Sequence, residues 1–195
     1  MAKRILIIQG HPDSQVEHFA HALADAYQTG AQEAGHEVKR LVVADLDMPV
    51  LRRREDWECG AASESIRHSQ DAIGWAEHLV LIYPLWLGAM PALLKAFLEQ
   101  VLRPGFALGR AEPGKVGRPM LKGKSARIII TMGMPALVYR WYFGAHSLKS
   151  LERNVLGFCG VRPIRASLIG MVEAIGGAQR GRWIDKVRAL GRAAR

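Results

Sequence analysis

Short apolar runs alternate with longer amphipathic stretches along most of this chain. A continuous apolar run is typical of a strand that is covered on both faces. The stretches between the runs repeat their apolar side chains at helical spacing, which indicates helices with one buried face. Strands are predicted at residues 5–8, 37–43, 78–83, 126–131 and 164–169. Helices are predicted from residue 16 to Gly35, at 65–75, from Pro91 to 102, at 148–158 and at 182–190.

The alternation of strands and helices predicts an α/β fold in which helices cover both faces of a parallel sheet. No domain boundary is visible, so residues 1–195 are expected to form one domain. Five strands fit a doubly wound sheet of order 2-1-3-4-5. In that order the ligand crevice lies beyond the carboxyl ends of strands 1 and 3. Topology therefore nominates three loops, at residues 9–16, 84–90 and 131–139.

The first of these loops leads directly into a predicted helix start. Free backbone N–H groups and the helix dipole make such a start a ready anion site. Gly10 lets the backbone turn closely, while His11 and Ser14 offer side-chain donors to a phosphate. The spacing is equally compatible with a structural role, in which Ser14 caps the helix and Glu17 completes a capping box. The pattern leaves both interpretations open.

The second loop, residues 84–90, is apolar where an exposed loop ought to be polar. At a switch point such a loop suits a flat aromatic ligand, which backbone groups and Trp86 would contact. The alternative is a loop that is buried against the neighbouring helix or against a dimer partner.

The third loop precedes a cluster of aromatic side chains at Tyr139, Trp141, Tyr142 and Phe143. Such a cluster either walls a pocket for a planar substrate or forms a subunit contact, because aromatic residues are enriched at both. Tyr139 and His146 are the nearby hydroxyl and imidazole that are able to hand a proton to a substrate oxygen. A lone histidine is more commonly structural or solvated, so both interpretations of His146 stay open.

The charge of the chain is uneven. The net formal charge is +9, and residues 103–195 carry 18 of the 27 basic side chains but only four of the 18 acidic ones. Such asymmetry fits a nucleic-acid or anionic membrane surface, an anionic small molecule, or a solvated face. The basic residues are scattered and no nucleic-acid motif accompanies them, so no nucleic-acid partner is expected.

Other chemistries find little support in the sequence. Cys59 and Cys159 have no CxxC neighbours, which favours two reduced thiols in a cytoplasmic protein. The apolar start is too short for a signal peptide, and Pro84, Gly88 and Pro91 interrupt the uncharged stretch at residues 79–94. His18 and His21 share a helix face, but no carboxylate triad accompanies them, so no metal site is predicted.

Three blocks of sequence resemble a known family. The first is Ile7-Ile8-Gln9-Gly10-His11-Pro12, and the second runs from Ala76 through Tyr83-Pro84-Leu85-Trp86 and Met90-Pro91 to Arg103-Pro104-Gly105-Phe106-Ala107. The third combines Thr131-Met132-Gly133 and Tyr139 with Gly157-Phe158-Cys159-Gly160. These blocks are similar to the flavodoxin-like NAD(P)H:quinone oxidoreductases, which include diaphorase-type enzymes and bacterial modulators of drug activity.

The resemblance implies a flavin, either FAD or FMN, and NAD(P)H as co-substrate. The phosphate end of the flavin is expected against His11, Ser14, Gln15, Val16 and His18. The ring is expected against Pro84, Leu85, Trp86, Leu87, Thr131, Met132, Gly133 and Met134. Tyr139 and His146 match the tyrosine and histidine that relatives place near the flavin, where the quinone is reduced. Members are usually homodimers. This chain departs from the pattern at His18, where many relatives have asparagine, and at Met134, where they have glycine.

The resulting hypothesis is an oxidoreductase that works in two steps, with NAD(P)H reducing the flavin before a quinone or similar acceptor enters the same site. A second hypothesis is a regulatory flavoprotein, because some relatives are ancillary subunits of potassium-efflux transporters. A third is a one-electron carrier like the true flavodoxins. The basic charge and the absence of their phosphate loop argue against that role.

Overall fold

The computed structural model describes residues 1–110 and 117–195, so part of the predicted loop at 103–124 lies outside the described residues. Five strands form one sheet of order β2-β1-β3-β4-β5, and every neighbouring pair is parallel. This confirms the predicted fold class and strand order. The strands are β1 Arg4–Gln9, β2 Glu37–Val42, β3 His78–Pro84, β4 Ser125–Thr131 and β5 Ile164–Ile169.

The helices follow the predicted order, with one short helix, α2, that was not predicted. Within the described residues the α-helices are α1 Phe19–Glu33, α2 Arg54–Glu58, α3 Glu64–Trp75, α4 Ala92–Val101, α5 His146–Ser150 and α6 Gly177–Arg192. A 3₁₀ turn lies at Val43–Asp45, and π-helical turns lie at Val138–Tyr142 and Leu151–Leu156. The helix predicted from residue 16 therefore begins at Phe19, and the one predicted at 148–158 is divided into α5 and the second π-helical turn.

The two faces of the sheet bury alternate residues of the same strands. On one face Leu6 and Ile8 pack with the apolar side of α3 and α4. On the other face Ile5 and Ile7 pack with α1 and α6. A strand whose side chains are all buried has to be apolar throughout, which explains the continuous runs in the sequence. Helices on both faces leave the carboxyl edge of the sheet for the connecting loops.

Strand register brings those loops together. Gln9 at the end of β1 lies opposite Ile82, and Pro84 at the end of β3 lies opposite Thr131 at the end of β4. Thr131 in turn lies opposite Ile169 at the end of β5. The segments that follow β1, β3, β4 and β5 therefore start side by side.

Both cysteines are free thiols, as predicted: Cys59 is exposed and Cys159 is buried. Burial raises the pKa of the Cys159 thiol to about 11. Among the described residues, no helix combines the length and the apolar character that crossing a bilayer requires.

His78 at the start of β3 is a buried imidazole that makes the stability of the fold depend on pH. Its Nδ1 lies 2.7 Å from the Ser125 hydroxyl, and the side chain is 2% exposed. Burial, followed by the nearby positive charges of Lys3 and Arg127, lowers the pKa of His78 from 6.5 to about 4. Because the unfolded chain takes up this proton near pH 6.5 and the folded chain does not, stability falls as the pH drops below 6.5.

We expect the free energy of unfolding to be about 2 kcal/mol smaller at pH 5 than at pH 7 through His78 alone. Urea titrations at the two pH values measure this difference, and the NMR shift of the His78 ring protons locates the titration. An imidazole that titrates at its ordinary pKa in the folded protein would contradict the assignment.

Candidate functional site

A cleft of about 500 Å³ lies at the carboxyl edge of the sheet. It is bounded by the loops after β1, β3, β4 and β5 and by the first turns of α1 and α6. Its lining residues are His11, Asp13, Glu17, His18, Phe19, Ala20, Pro84, Trp86, Thr131, Val172, Glu173 and Arg180. This volume lies within the ordinary range for small-molecule and cofactor sites.

At Gly10, directly after β1, the backbone passes so close to helix α4 that a residue with a Cβ atom would displace a side chain there. The Gly10 N–H donates to the carbonyl of Ile82 at 2.8 Å. A Cβ atom on Gly10 would lie 2.7 Å from the Leu94 side chain of α4. Gly10 therefore turns the backbone tightly out of the sheet and directs the next residue, His11, toward the cleft.

Asp13 organises the loop after β1, although sequence reasoning did not single it out. One carboxylate oxygen accepts from the Gln15 N–H at 2.8 Å, and the other lies 3.1 Å from His18 Nε2. The hydrogen bond from His18 is the main reason that the pKa of Asp13 lies below its usual value. The sequence did contain a signal for this role of Asp13, because an aspartate that accepts from the N–H two residues later is a common turn former.

Helix α1 begins without the serine cap that the pattern allowed. His18 occupies the N-cap position, and its side chain makes no capping hydrogen bond. The Ser14 hydroxyl instead donates to the Asp45 carboxylate at 2.6 Å. The capping-box interpretation of Ser14 and Glu17 is therefore wrong. The uncapped start of α1 faces the cleft through Phe19, and such a start favours an anion.

Three imidazoles lie together at this helix start. The rings of His11 and His18 stack with centroids 3.8 Å apart, and His21 meets the two rings edge-on at 5.2 and 5.4 Å. His11 and His21 are each 6% exposed, and the buried Nε2 of His21 has no hydrogen-bond partner within the described residues. Burial is the largest cause that lowers the pKa of His11 and of His21.

The apolar loop after β3 is exposed. Trp86 and Ala89 exchange two backbone hydrogen bonds of 2.9 Å, which closes a tight turn with Leu87 and Gly88 at positive φ. Leu87 is fully exposed at the tip, and Trp86 is 51% exposed beside the cleft. Burial does not account for the tip of this loop, although Leu85 and Met90 at its two sides are partly buried against the core. A ligand or a second protein chain is the remaining explanation for the apolar character of the tip.

Thr131, the last residue of β4, borders the cleft. The loop that follows it leaves two backbone donors unused. The Met132 N–H donates to Ile169 at 2.9 Å, so the sheet takes up that group. The N–H groups of Gly133 and Met134 donate to no acceptor among the described residues. Gly133 is exposed, whereas the Met132 side chain is buried in the core.

Tyr139 does not lie where the sequence predicted. Its side chain is 2% exposed within the hydrophobic core, and its hydroxyl accepts from the Leu148 N–H at 3.2 Å. The prediction that this hydroxyl faces a substrate is therefore corrected, because it anchors α5 to the preceding π-helical turn. His146 is exposed at the start of α5 and is not among the residues that line the cleft.

The other aromatic side chains of this segment are exposed. Trp141 and Tyr142 are about four-fifths exposed, and the Tyr142 ring meets Phe143 edge-on at 5.0 Å. Trp141 also lines a second cavity, of about 750 Å³, which Trp183 of α6 helps to form. These rings do not wall the cleft, so the alternative of a subunit contact gains support.

Comparison with known proteins bears on this arrangement. A family model described as a flavodoxin-like fold matches residues 3–190. The chain belongs to this family. A Haemophilus influenzae protein named "Uncharacterized NAD(P)H oxidoreductase" is 31% identical over 184 residues, which are 92% of this chain and 90% of that protein. A shorter match, 39% identical over 75 residues and 38% of each chain, is to the potassium-efflux system ancillary protein KefG of Cronobacter sakazakii.

Two solved structures share the flavodoxin-like fold over nearly the whole chain. Smu.1420 from Streptococcus mutans is 28% identical, with a TM-score of 0.78 and coverage of 97% of this chain and 99% of that one. An FMN-dependent NADH-azoreductase from Bacillus anthracis, solved in complex with FMN, is 17% identical with a TM-score of 0.74. It covers 99% of this chain and 100% of its own, and at that identity it shows the fold alone.

The flavodoxin-like cleft gathers only part of the predicted set. Of the predicted residues, those that line it are His11, His18, Pro84, Trp86 and Thr131. Those that do not are Ser14, Gln15, Val16, Leu85, Leu87, Met132, Gly133, Met134, Tyr139 and His146. Within residues 1–110 and 117–195, no group of three or more histidine, cysteine or carboxylate side chains is arranged to hold a metal ion.

Two further residues that line the flavodoxin-like cleft, Glu173 and Arg180, were not predicted from the sequence. Arg180 of α6 donates to the Val172 carbonyl at 2.8 Å, and its guanidinium lies 5.5 Å from the centre of the Phe19 ring. Neither residue belongs to a recognisable motif. Packing of α6 beside α1 brings them to the site, and that packing is not visible in local sequence.

Proposed function

We propose that this protein is a flavin-dependent NAD(P)H oxidoreductase that reduces quinones or similar acceptors in the cytoplasm. The observation that carries the proposal is one cleft that combines two chemically different surfaces. A helix start with the imidazoles of His11 and His18 lies beside an apolar surface at Pro84 and Trp86, and the His11 and Trp86 ring centroids are 6.2 Å apart. The names of the Haemophilus relative and of the FMN-bound azoreductase support the same chemistry.

The residues present fit a flavin at this cleft. A phosphate suits the uncapped start of α1 because backbone N–H groups and the helix dipole favour an anion there. The buried, unpartnered His21 Nε2 shows that polar groups at this end are not fully satisfied by the protein. A flat ring suits the neighbouring apolar surface, where the Trp86 side chain and Pro84 border the cleft. FMN and FAD share both features, and the FMN-bound azoreductase supports FMN.

A bound flavin supplies the redox chemistry, which is hydride uptake from NAD(P)H and two-electron delivery to the acceptor. The chain itself positions and shields the reactants. Trp86 and Pro84 would hold the flavin ring, and the two substrates would stack on its open face in turn, which gives a two-step exchange. Gly133 and Met134 lie two and three residues beyond Thr131 of the cleft wall, and their unused N–H groups would be available to a ligand that extends past it.

His146 does not line the cleft, so its proposed role as proton donor to the acceptor rests on the family resemblance, and Tyr139 is proposed to keep the segment ordered. His146→Ala is expected to slow acceptor reduction roughly 10- to 100-fold and to leave the rate of reduction by NAD(P)H unchanged, since a general acid contributes on that scale. Tyr139→Phe, which keeps the buried ring, is expected to change both rates by less than about twofold. Stopped-flow measurement of the two half-reactions separates these outcomes, and equal acceptor rates in His146→Ala and wild type would remove His146 from the mechanism.

A second copy of the chain is the proposed partner for the exposed aromatic surface. Trp141, Tyr142 and Phe143 are three consecutive exposed aromatic side chains, and aromatic residues are enriched at protein interfaces. A homodimer would cover them. Analytical ultracentrifugation tests this, because Trp141→Glu with Tyr142→Glu should convert the dimer into a folded monomer. Wild-type protein that sediments as a monomer would contradict it.

A regulatory subunit of a potassium-efflux transporter is the second candidate function, favoured by the partial KefG match. Turnover distinguishes the two functions. An enzyme should oxidise NAD(P)H with a quinone at about 1 per second or faster, within the usual range of kcat. A protein that binds flavin but turns over at less than about one hundredth of that rate would favour the regulatory function.

A further inference from the structure

Carboxylates outnumber guanidinium groups around the cleft. Among the described residues that line it, Asp13, Glu17 and Glu173 carry carboxylates, and Arg180 carries the one permanent positive charge. A phosphate dianion that enters this environment meets more negative than positive charge. The uncapped start of α1 offsets only about half an elementary charge. The remaining groups that are able to become positive at this end are the imidazoles.

His11 is built to accept a proton without losing its hydrogen bond. Its Nδ1 lies 3.1 Å from the Asp13 N–H and 3.0 Å from the Asp13 carbonyl oxygen. The neutral ring accepts from the N–H at this nitrogen, and the protonated ring donates to the carbonyl instead. Either state is satisfied by the same residue, so protonation needs no rearrangement of the loop. The neutral ring that accepts at Nδ1 already carries its hydrogen on Nε2, so protonation leaves this donor in place and adds a positive charge to it.

Without a ligand, the surroundings of His11 favour the neutral imidazole. The main cause of its lowered pKa is burial, with smaller contributions from the rings of His18 and His21. Around the three-histidine cluster, the charged groups come from the loop after β1, from α1, β2 and α6, and from the loop after β5. They are Asp13, Glu17, Asp25, Arg40, Glu173 and Arg180.

We propose that binding of a flavin 5′-phosphate at the start of α1 is coupled to the uptake of one proton by His11. The inference rests on the proposed flavin function and adds a specificity device to it. Flavins that carry a phosphate gain a charge-assisted hydrogen bond from the imidazolium. Riboflavin, which lacks the phosphate, gains nothing from the proton. The preference for phosphorylated flavins is therefore set by pH.

The sign of the effect follows from linkage. A bound phosphate raises the proton affinity of His11. FMN therefore binds more tightly at pH values at which His11 is protonated in the complex but neutral in the free protein. Affinity should fall as the pH rises from about 6.5 to 8, by roughly tenfold if one proton is taken up over most of that interval. Below about pH 6 the phosphate itself takes up a proton, which limits the gain.

Calorimetric titration with FMN and with riboflavin tests the coupling directly. We expect about one proton taken up per FMN near neutral pH, measured in buffers of different ionisation enthalpy, and none per riboflavin. His11→Gln keeps a donor but cannot titrate, so the pH dependence and the proton uptake for FMN should disappear. His68→Gln, the same substitution at an exposed position on α3, should behave like wild type.

The outcomes separate the inference from the function on which it rests. If wild type binds FMN with the same affinity across this pH range, or if His11→Gln keeps the pH dependence, the coupling is wrong while flavin binding stands. If FMN, FAD and riboflavin all fail to bind at any pH, the proposed function itself is wrong. Retained proton uptake in His11→Gln with loss in His18→Gln would move the proton to His18 and overturn the assignment to His11.

Discussion

Replacing Gly30 with alanine is expected to destabilise the protein by about 3 kcal/mol, an effect at the upper end of those seen for overpacking. Helices α1 and α6 touch backbone to backbone on one face of the sheet. A Cβ atom on Gly30 of α1 would overlap the carbonyl oxygen of Arg188 in α6. Gly191 of α6 meets the Tyr27 carbonyl in the same way. Because the obstacle is backbone, rotation of a side chain cannot relieve it.

Gly181→Ala is the matched control. Gly181 lies within helix α6, as Gly30 lies within α1, but a Cβ atom on Gly181 would meet open space. Alanine there should stabilise the helix by up to about 1 kcal/mol through its better helix propensity. Urea titrations of the two variants and the wild type measure both effects. Equal stability of Gly30→Ala and Gly181→Ala would show that the helices do not approach as closely as described. Since α6 carries Arg180, Gly30→Ala should also weaken flavin binding.

The second large effect concerns the phosphate end of the cleft. His11→Glu is expected to weaken FMN binding roughly 100-fold or more. The substitution places a carboxylate beside Asp13, where the proposed phosphate binds, and two like charges about 4 Å apart repel by about 4 kcal/mol near a protein surface. Riboflavin should lose far less affinity because it carries no phosphate.

His68→Glu makes the same change on the exposed face of α3 and should leave both affinities unaltered. Fluorescence titration of free flavin with each variant gives the two dissociation constants. Equal losses for FMN and riboflavin in His11→Glu would place the phosphate elsewhere. A thermal unfolding curve for the variant shows whether the loss arises from the site or from the fold.

Strands β1, β3 and β4 were predictable because they are buried on both faces of the sheet, whereas the edge strands β2 and β5 are only partly buried. Residues 164–169 were predicted as a strand and form β5, and the other four strands end within two residues of prediction. The start of α1 was not predictable to the same degree. Ser14 has the chemistry of a helix cap, but Asp45, which is distant in sequence, takes its hydroxyl. This tertiary hydrogen bond, and not the local capping pattern, determines the position of the Ser14 side chain.

The site was predictable as far as topology determines it. The switch point nominated the loops that supply His11, Trp86 and Thr131, and all three line the cleft. The contribution of Arg180 depends on how α6 packs on α1, which local sequence does not encode. The burial of Tyr139 was missed for a related reason, because a π-helical turn shifts which side chains face inward.

Flavin binding by the isolated protein tests the central claim most directly. The purified chain is incubated with FMN, passed through a gel-filtration column, and its visible spectrum is recorded beside a mass measurement of the released cofactor. We expect one flavin per chain, and His11→Glu handled in parallel should emerge with little colour. Wild-type protein that emerges colourless after incubation with FMN and with FAD would contradict the account.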